Sequence, residues 1–220
     1  MQLDLHLPRP RRGLVCAALA LIACSSFSLP AAHGQDATAG ARSIPKATTK
    51  AAAIQLDRPA EGEFIVDRAG LIDAADAQTI WALCESAQTE KATPIIVVTI
   101  DSMADHGGQG LQIETFANRL FDQWGIGHKE LGGKPWNTGI LLLVSKNDRK
   151  VRIELGGGWG RTKDDACRKI MDEEILPRFK EGNFSAGILA GVKGLQQLAK
   201  SLKVPKSKVS FLVAQAPADG

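Results

Sequence analysis

Pro94-Ile95-Ile96-Val97-Val98-Thr99-Ile100 and Gly139-Ile140-Leu141-Leu142-Leu143-Val144 are two apolar runs with almost no polar interruption. A strand with one wet face alternates apolar and polar residues; a strand without alternation has both faces covered. Both runs are therefore expected to be central strands, with helices above and below. Between them, residues 111–124 repeat apolar side chains at Ile113, Phe116, Ala117, Leu120, Phe121 and Trp124, the 3.6-residue period of a helix. Gly125 is placed to end that helix in a left-handed turn.

Working outward, Phe64-Ile65-Val66 reads as a short first strand. A helix follows it, with Asp73 as N-cap and Ala77, Ile80, Cys84 and Ala87 on its inner face. After Val144, the turn residues 146–149 lead into Val151, Ile153 and Leu155, which alternate with Arg152 and Glu154. This is a hairpin whose second strand has one wetter face. Beyond the glycines at 156–158, Thr162 opens a Thr-x-x-Asp start for a third helix, which Pro177 is expected to end. A fourth helix carries Ile188, Val192, Leu195, Ala199 and Leu202, with Gly187, Gly191 and Gly194 allowing close approach. The order βαβαββαα predicts an α/β fold. It is a three-layer α/β/α sandwich on a small sheet of about four strands, the last two a hairpin.

The folded part is expected over residues 63–202. Residues 1–34 have the layout of an export signal: Arg9, Arg11 and Arg12 precede an apolar run at 14–23, too short to span a bilayer. Two processing routes fit. Leu21-Ile22-Ala23-Cys24 resembles a lipobox that would lipidate Cys24, and Ala32-His33-Gly34 is a small-x-small site that would release a chain starting at Gln35. Residues 35–62, rich in Ala, Thr, Lys and Pro, read as a disordered tether, and 203–220 as a tail. The expected location is the periplasm or envelope. Of the net charge of +3, residues 1–34 carry three Arg and one Asp, so the processed chain is near +1. No basic stripe remains, which excludes a nucleic-acid binder. Export would permit a disulfide between Cys84 and Cys167; buried free thiols fit equally well.

Enzyme signatures are absent one by one. There is no Gly-x-Ser-x-Gly, no Cys-x-x-Cys, and no third glycine for a dinucleotide fingerprint at 156–160, where Arg161 stands instead. His106 and His128 sit in glycine-bearing loops. If the first three strands run parallel, Asp67, Asp101 and Asp148 gather at one end. The other end collects Asn137, Thr138, the glycines Gly156 and Gly158, Trp159, Arg161, Asp164 and Asp165. Carboxylate, amide and carbonyl oxygens beside a helix start suit a hard cation such as Ca²⁺. The plainer alternative is that Asp165 caps its helix and the glycines only turn the chain.

Five stretches carry a family resemblance: VDRAGLID at 66–73, PIIVVTIDS at 94–102, IETFANRLFDQWGIGHK at 113–129, GILLLVSKNDRKVRIELGGGWGR at 139–161 and DDACRKIMDEEILPRFKEGNFSAGILAGVKGL at 164–195. In this order they resemble the TPM domain family of thylakoid-lumen and bacterial envelope proteins. The resemblance implies a three-layer α/β/α domain, often cation-binding, sometimes with weak acid phosphatase activity, and linked to the upkeep of membrane protein complexes. Position by position, the resemblance matches the family's acids to Asp67 and Asp165 and its glycine pair to Gly156 and Gly158. Together with Asn137 and Asp164 from the residue reading, these acids are the candidate ligands of Ca²⁺ or another divalent cation, and Gly156, Gly158, Trp159 and Arg161 are the candidate cleft. Its partner would be an envelope or membrane protein complex, reached through a lipid on Cys24 if that route is used. Two departures weaken the cation site: Asn137-Thr138-Gly139 replaces a common Asp-Asn-Gly, and Gly160 stands where a glutamate is frequent.

Overall fold

The computed structural model describes residues 3–4, 53–131, 134–160 and 163–202. The chain divides into two units, one of residues 1–7 with 52–220 and one of residues 8–51, and only the first contains described residues. The rest of the expected signal with Cys24, the tether up to residue 52, the tail, Arg161 and Thr162 lie outside the described residues.

The two runs are strands β3 (Ile95–Ile100) and β6 (Ile140–Ser145), and all twelve of their residues are buried. They pair in parallel, Ile95 against Ile140 through Ile100 against Ser145. Strand β2 (Ile65–Asp67) pairs parallel to β3, and β7 (Lys150–Leu155) returns antiparallel on β6, so three strands run together and the fourth reverses. The sheet order is β1-β7-β6-β3-β2, where β1 (Leu3–Asp4) is a two-residue strip on the β7 edge. Burial of β3 and β6 on both faces requires helices on both. Helices α1 (Ala74–Lys91) and α5 (Phe184–Lys200) pack on one another and on β3, and α2 (Ile113–Trp124) packs on β6 and β7. The fold is the expected α/β/α sandwich. On β7, Val151 and Ile153 are buried, while Arg152 and Glu154 form an ion pair at 2.8 Å on the wetter face.

Three features differ from the expectation. Residues 128–137 form an extra hairpin, β4 (His128–Leu131) with β5 (Lys134–Asn137), where the glycines had suggested only a loop. The domain also begins earlier than residue 63. Ile54 and Leu56 are buried, the Gln123 amide bonds both the N–H and the C=O of Ile54 at 2.9 and 2.8 Å, and the Trp124 indole donates to Leu56 O at 3.2 Å. Two well-spaced apolar residues and satisfied backbone groups are enough to order that short segment.

The third difference concerns Pro177, which does not end its helix. Helix α3 (Asp164–Lys169) widens into a π-helical stretch, Ile170–Ile175, and continues as α4 (Leu176–Lys180) with Pro177 near its start. A proline inside an α-helix lacks an N–H and clashes with the carbonyl four residues back. A wider turn just before it removes that clash. The Arg178 guanidinium bonds the Glu174 carbonyl at 2.6 Å and its carboxylate at 3.2 Å, satisfying groups that the distortion exposes.

The α5 glycines face this helix. A Cβ on Gly187 would lie 2.6 Å from Phe179, one on Gly191 2.7 Å from Ile175, and one on Gly194 2.9 Å from Ile170. Gly191→Ala therefore forces a shift of the fully buried Ile175 and is expected to cost about 1–3 kcal/mol in urea unfolding.

At the far end of the sheet, Asp148 staples the β6–β7 turn to the segment after β3. Its carboxylate accepts from Ser145 Oγ at 2.6 Å, Met103 N at 2.8 Å and Ser102 Oγ at 3.3 Å. Desolvation pushes its pKa up, but these hydrogen bonds and the charge of Lys150 outweigh it and hold the pKa below the usual aspartate value. A depressed carboxylate stabilises the fold above its unfolded pKa and loses that contribution as pH falls through the folded one. Asp148→Asn is expected to cost about 1 kcal/mol at neutral pH, after discounting for solvent screening. The gap to wild type should close when unfolding is repeated in acid.

Candidate functional site

The rim at the entry to β6 is built from glycines pressed against Asn137 and Thr138. A Cβ on Gly156 would lie 2.2 Å from Asn137 Oδ1, one on Gly158 2.6 Å from the Asn137 carbonyl, and one on Gly127 3.3 Å from the same Oδ1. Only glycine fits at 156 and 158. The 3₁₀ turn Gly157–Trp159 folds over this strand end, and the Trp159 indole donates to Thr138 O at 2.8 Å. The Thr138 hydroxyl donates to Ala92 O at 3.2 Å and lies 3.3 Å from that of Thr93. These bonds tie the end of α1 to the rim.

Two polar atoms at this rim are enclosed without a hydrogen-bond partner among the described residues, Asn137 Oδ1 and Trp136 Nε1. A buried polar atom left unpaired costs about 1–3 kcal/mol, so such atoms are rare in folded proteins. The sequence suggests Asn137 by residue type; its lack of a partner is visible only in the fold.

The start of α3 lies at the same end of the domain. Lys163 Nζ donates to Ser201 Oγ at 3.4 Å just after α5, and Lys91 Nζ donates to Leu202 O at 3.3 Å. Asp164 and Asp165 are exposed there, and neither makes a hydrogen bond or ion pair with the described residues. Neither caps the helix, whose N-cap is Lys163.

Asp67 is elsewhere. It stands level with Thr99 and Val144, whereas Asn137 precedes Ile140. Four residues of strand at about 3.3 Å each put at least about 13 Å between those levels, so Asp67 does not share a site with Asn137. Its carboxylate accepts from the backbone N–H of Leu71 at 3.0 Å and of Ile72 at 3.1 Å, and from the Thr99 hydroxyl. This closes the turn into α1. Trp159 is buried. Among the described residues there is no group of three or more His, Cys, Asp or Glu placed to hold a metal.

Cys84 and Cys167 are free and buried rather than paired. Burial pushes the Cys84 thiol up to about 12. Burial and the charge of Asp164 outweigh Arg152 and push Cys167 to about 11. Neither is a nucleophile near neutral pH. His106 Nδ1 lies 3.1 Å from Gln55 O and helps hold the N-terminal segment.

A family model described as the TPM domain matches residues 65–198. The chain belongs to the TPM domain family. Among solved structures, this TPM domain is similar to the N-terminal domain of a protein from P. gingivalis, at 30% identity and a TM-score of 0.52, over 61% of this chain and 80% of that one. It also resembles the BA42 protein of the psychrophilic bacterium Bizionia argentinensis, at 20% identity and a TM-score of 0.51, over 64% and 90% of the two chains. The second likeness is one of fold alone. A search of curated proteins gave no match.

Asp67→Ala removes three hydrogen bonds to a carboxylate at a half-buried turn of this TPM domain. A loss of about 2–3 kcal/mol in chemical unfolding is expected, with no change in any cation effect at the opposite rim.

Proposed function

We propose that this TPM domain is a non-catalytic, exported envelope module that binds a divalent cation weakly at the Asn137 rim and serves a membrane or cell-wall protein complex. The observation that carries the cation reading is the enclosed Asn137 Oδ1, an oxygen without a donor among the described residues, at a rim where glycine alone fits at 156 and 158. An unpaired amide oxygen is an acceptor held in place for a hydrogen-bond donor or a hard cation, and Ca²⁺ accepts amide and backbone carbonyl oxygens readily. Asp164 and Asp165, exposed at the same end, would supply charge. So few carboxylates imply affinity in the weak range of about 10⁻⁴–10⁻³ M seen in extracellular modules.

The alternative, a metal-assisted acid phosphatase, has less support. Asp67 already has both oxygens engaged in the turn to α1, and both thiols are buried. The export and anchoring parts of the reading rest on the layout of residues 1–34, with Arg9, Arg11 and Arg12 ahead of the apolar run and Cys24 in a lipobox-like context.

Thermal unfolding with Ca²⁺, Mg²⁺ or chelator tests the site. At ten times Kd, linkage gives about 1.4 kcal/mol, or about 3–5 °C in a domain of this size. Asn137→Ala is expected to lose that shift without losing stability in chelator, because it removes an oxygen that has no partner. Equal midpoints with and without cation in the wild type would dispose of the site.

A further inference from the structure

We infer that the groove between α1, residues 58–64 and the α2–β4 connection binds an extended basic peptide of a partner protein. The inference rests on the reading above only in supposing that a partner chain exists, and it does not involve the cation rim. The groove has a volume of about 600 Å³ and an apolar floor that includes Phe64, Ile96 and Ile126. Trp81 stands on its wall, 41% exposed and the one exposed large hydrophobic among the described residues. It is not a loose side chain. Its indole donates to Gly62 O at 3.1 Å, and its ring meets Phe64 edge-on at 6.0 Å between centroids. An aromatic side chain fixed beside an apolar groove offers an occupant a preformed contact.

Three further observations define the occupant. Gln88, on the same wall, has an enclosed Oε1 with no partner among the described residues, an acceptor lacking its donor. Glu61, Glu63 and Glu85 line the groove against one cation, Arg58, and no ion pair among the described residues engages any of these three glutamates. This complements Lys or Arg, which can also stack on Trp81. Finally, the groove shares Arg58, Pro59, Ala60 and Glu63 with a neighbouring hollow of about 330 Å³ along β2, the last strand of the sheet. Phe64 O and Arg68 N bond β3, so by alternation the backbone groups of Ile65 and Asp67 point away from the sheet. A parallel-sheet edge that no strand pairs with among the described residues, beside an apolar groove, is the geometry for strand addition by an extended peptide.

The test uses the full chain and a fluorescein-labelled peptide of alternating Lys and Val, followed by anisotropy, with a Glu-Val peptide as control. Saturable binding is expected at micromolar concentration, about −8 kcal/mol, weakening steeply as salt is raised. Glu85→Lys, an exposed change that leaves the fold intact, should weaken binding about tenfold, and Gln88→Leu about fivefold through the lost acceptor. Trp81→Ala, checked by its unfolding curve, should weaken it further. Asn137→Ala should leave peptide binding unchanged, which separates this inference from the cation reading. No saturation up to about 1 mM, insensitivity to both Glu85→Lys and Gln88→Leu, or preference for the Glu-Val peptide would each overturn the proposal. So would tighter peptide binding after deletion of residues 35–50, which would assign the groove to the chain's own Lys46- and Lys50-bearing segment.

Discussion

The parallel pairing of β3 with β6 is the constraint on which the rest of the structure depends. Six consecutive buried positions on each of two adjacent strands leave no wet face, so helices must lie on both sides of the sheet. Because the register sets Ile95 against Ile140, the residues that enter the two strands, Thr93 and Pro94 on one and Asn137 and Thr138 on the other, meet at one end. Antiparallel return of β7 brings the glycine run to that same end, where Gly156 N bonds Gly139 O at 2.9 Å. The rim is thus a consequence of strand direction and register. Its chemistry lies in the few side chains that fall there.

Direction also sorts the acids. A count of carboxylates along the chain puts Asp67, Asp164 and Asp165 on equal footing. The sheet separates them, because Asp67 leaves β2 at the far end while the two later acids follow the exit of β7. Two of the far-end acids have a structural duty: Asp67 closes the turn into α1, and Asp148 joins the β6–β7 turn to the segment after β3. An aspartate whose oxygens are satisfied by backbone N–H groups has little capacity left for a metal. That contrast, satisfied acids at one end and an unsatisfied amide at the other, gives the Asn137 rim its claim as the binding end.

How much of this was legible from residues alone follows from which signals are local. Strand burial, helix period and the Gly125 stop are written in consecutive residues, and all appear as read; Gly125 adopts φ 61°. The β4–β5 hairpin was not legible, since Gly127, Gly132 and Gly133 dominate its composition and its strands carry no apolar alternation. Pro177 misled for a different reason. The rule that proline ends a helix assumes the α-helical register, and the widening over Ile170–Ile175 changes that register. The compensation lies on another element, where Gly187, Gly191 and Gly194 make room for the displaced side chains. Ile54 and Leu56 were lost in a polar, alanine-rich background, although the Gln123 amide seals their backbone.

The unpaired atoms are the least legible of all, because a missing partner is a property of the whole fold. Three enclosed side-chain atoms lack one among the described residues: Asn137 Oδ1, Trp136 Nε1 and Gln88 Oε1. Nothing about their neighbours in sequence marks them, and side chains of the same types elsewhere in the domain do find partners. Gln123 bonds a backbone N–H and C=O, and Trp124 and Trp159 each donate to a carbonyl. They fall at two separate places, the β6 entry and the α1 groove. If they were random packing faults, each would be a cost of about 1–3 kcal/mol with no return in a fold whose net stability is only about 5–15 kcal/mol. Their position is informative for that reason. Asn137 Oδ1 lies where only glycine fits, and Gln88 Oε1 beside a fixed, exposed tryptophan and uncompensated glutamates. The two completions proposed for these places differ in kind: a small hard ion at one, a basic chain at the other.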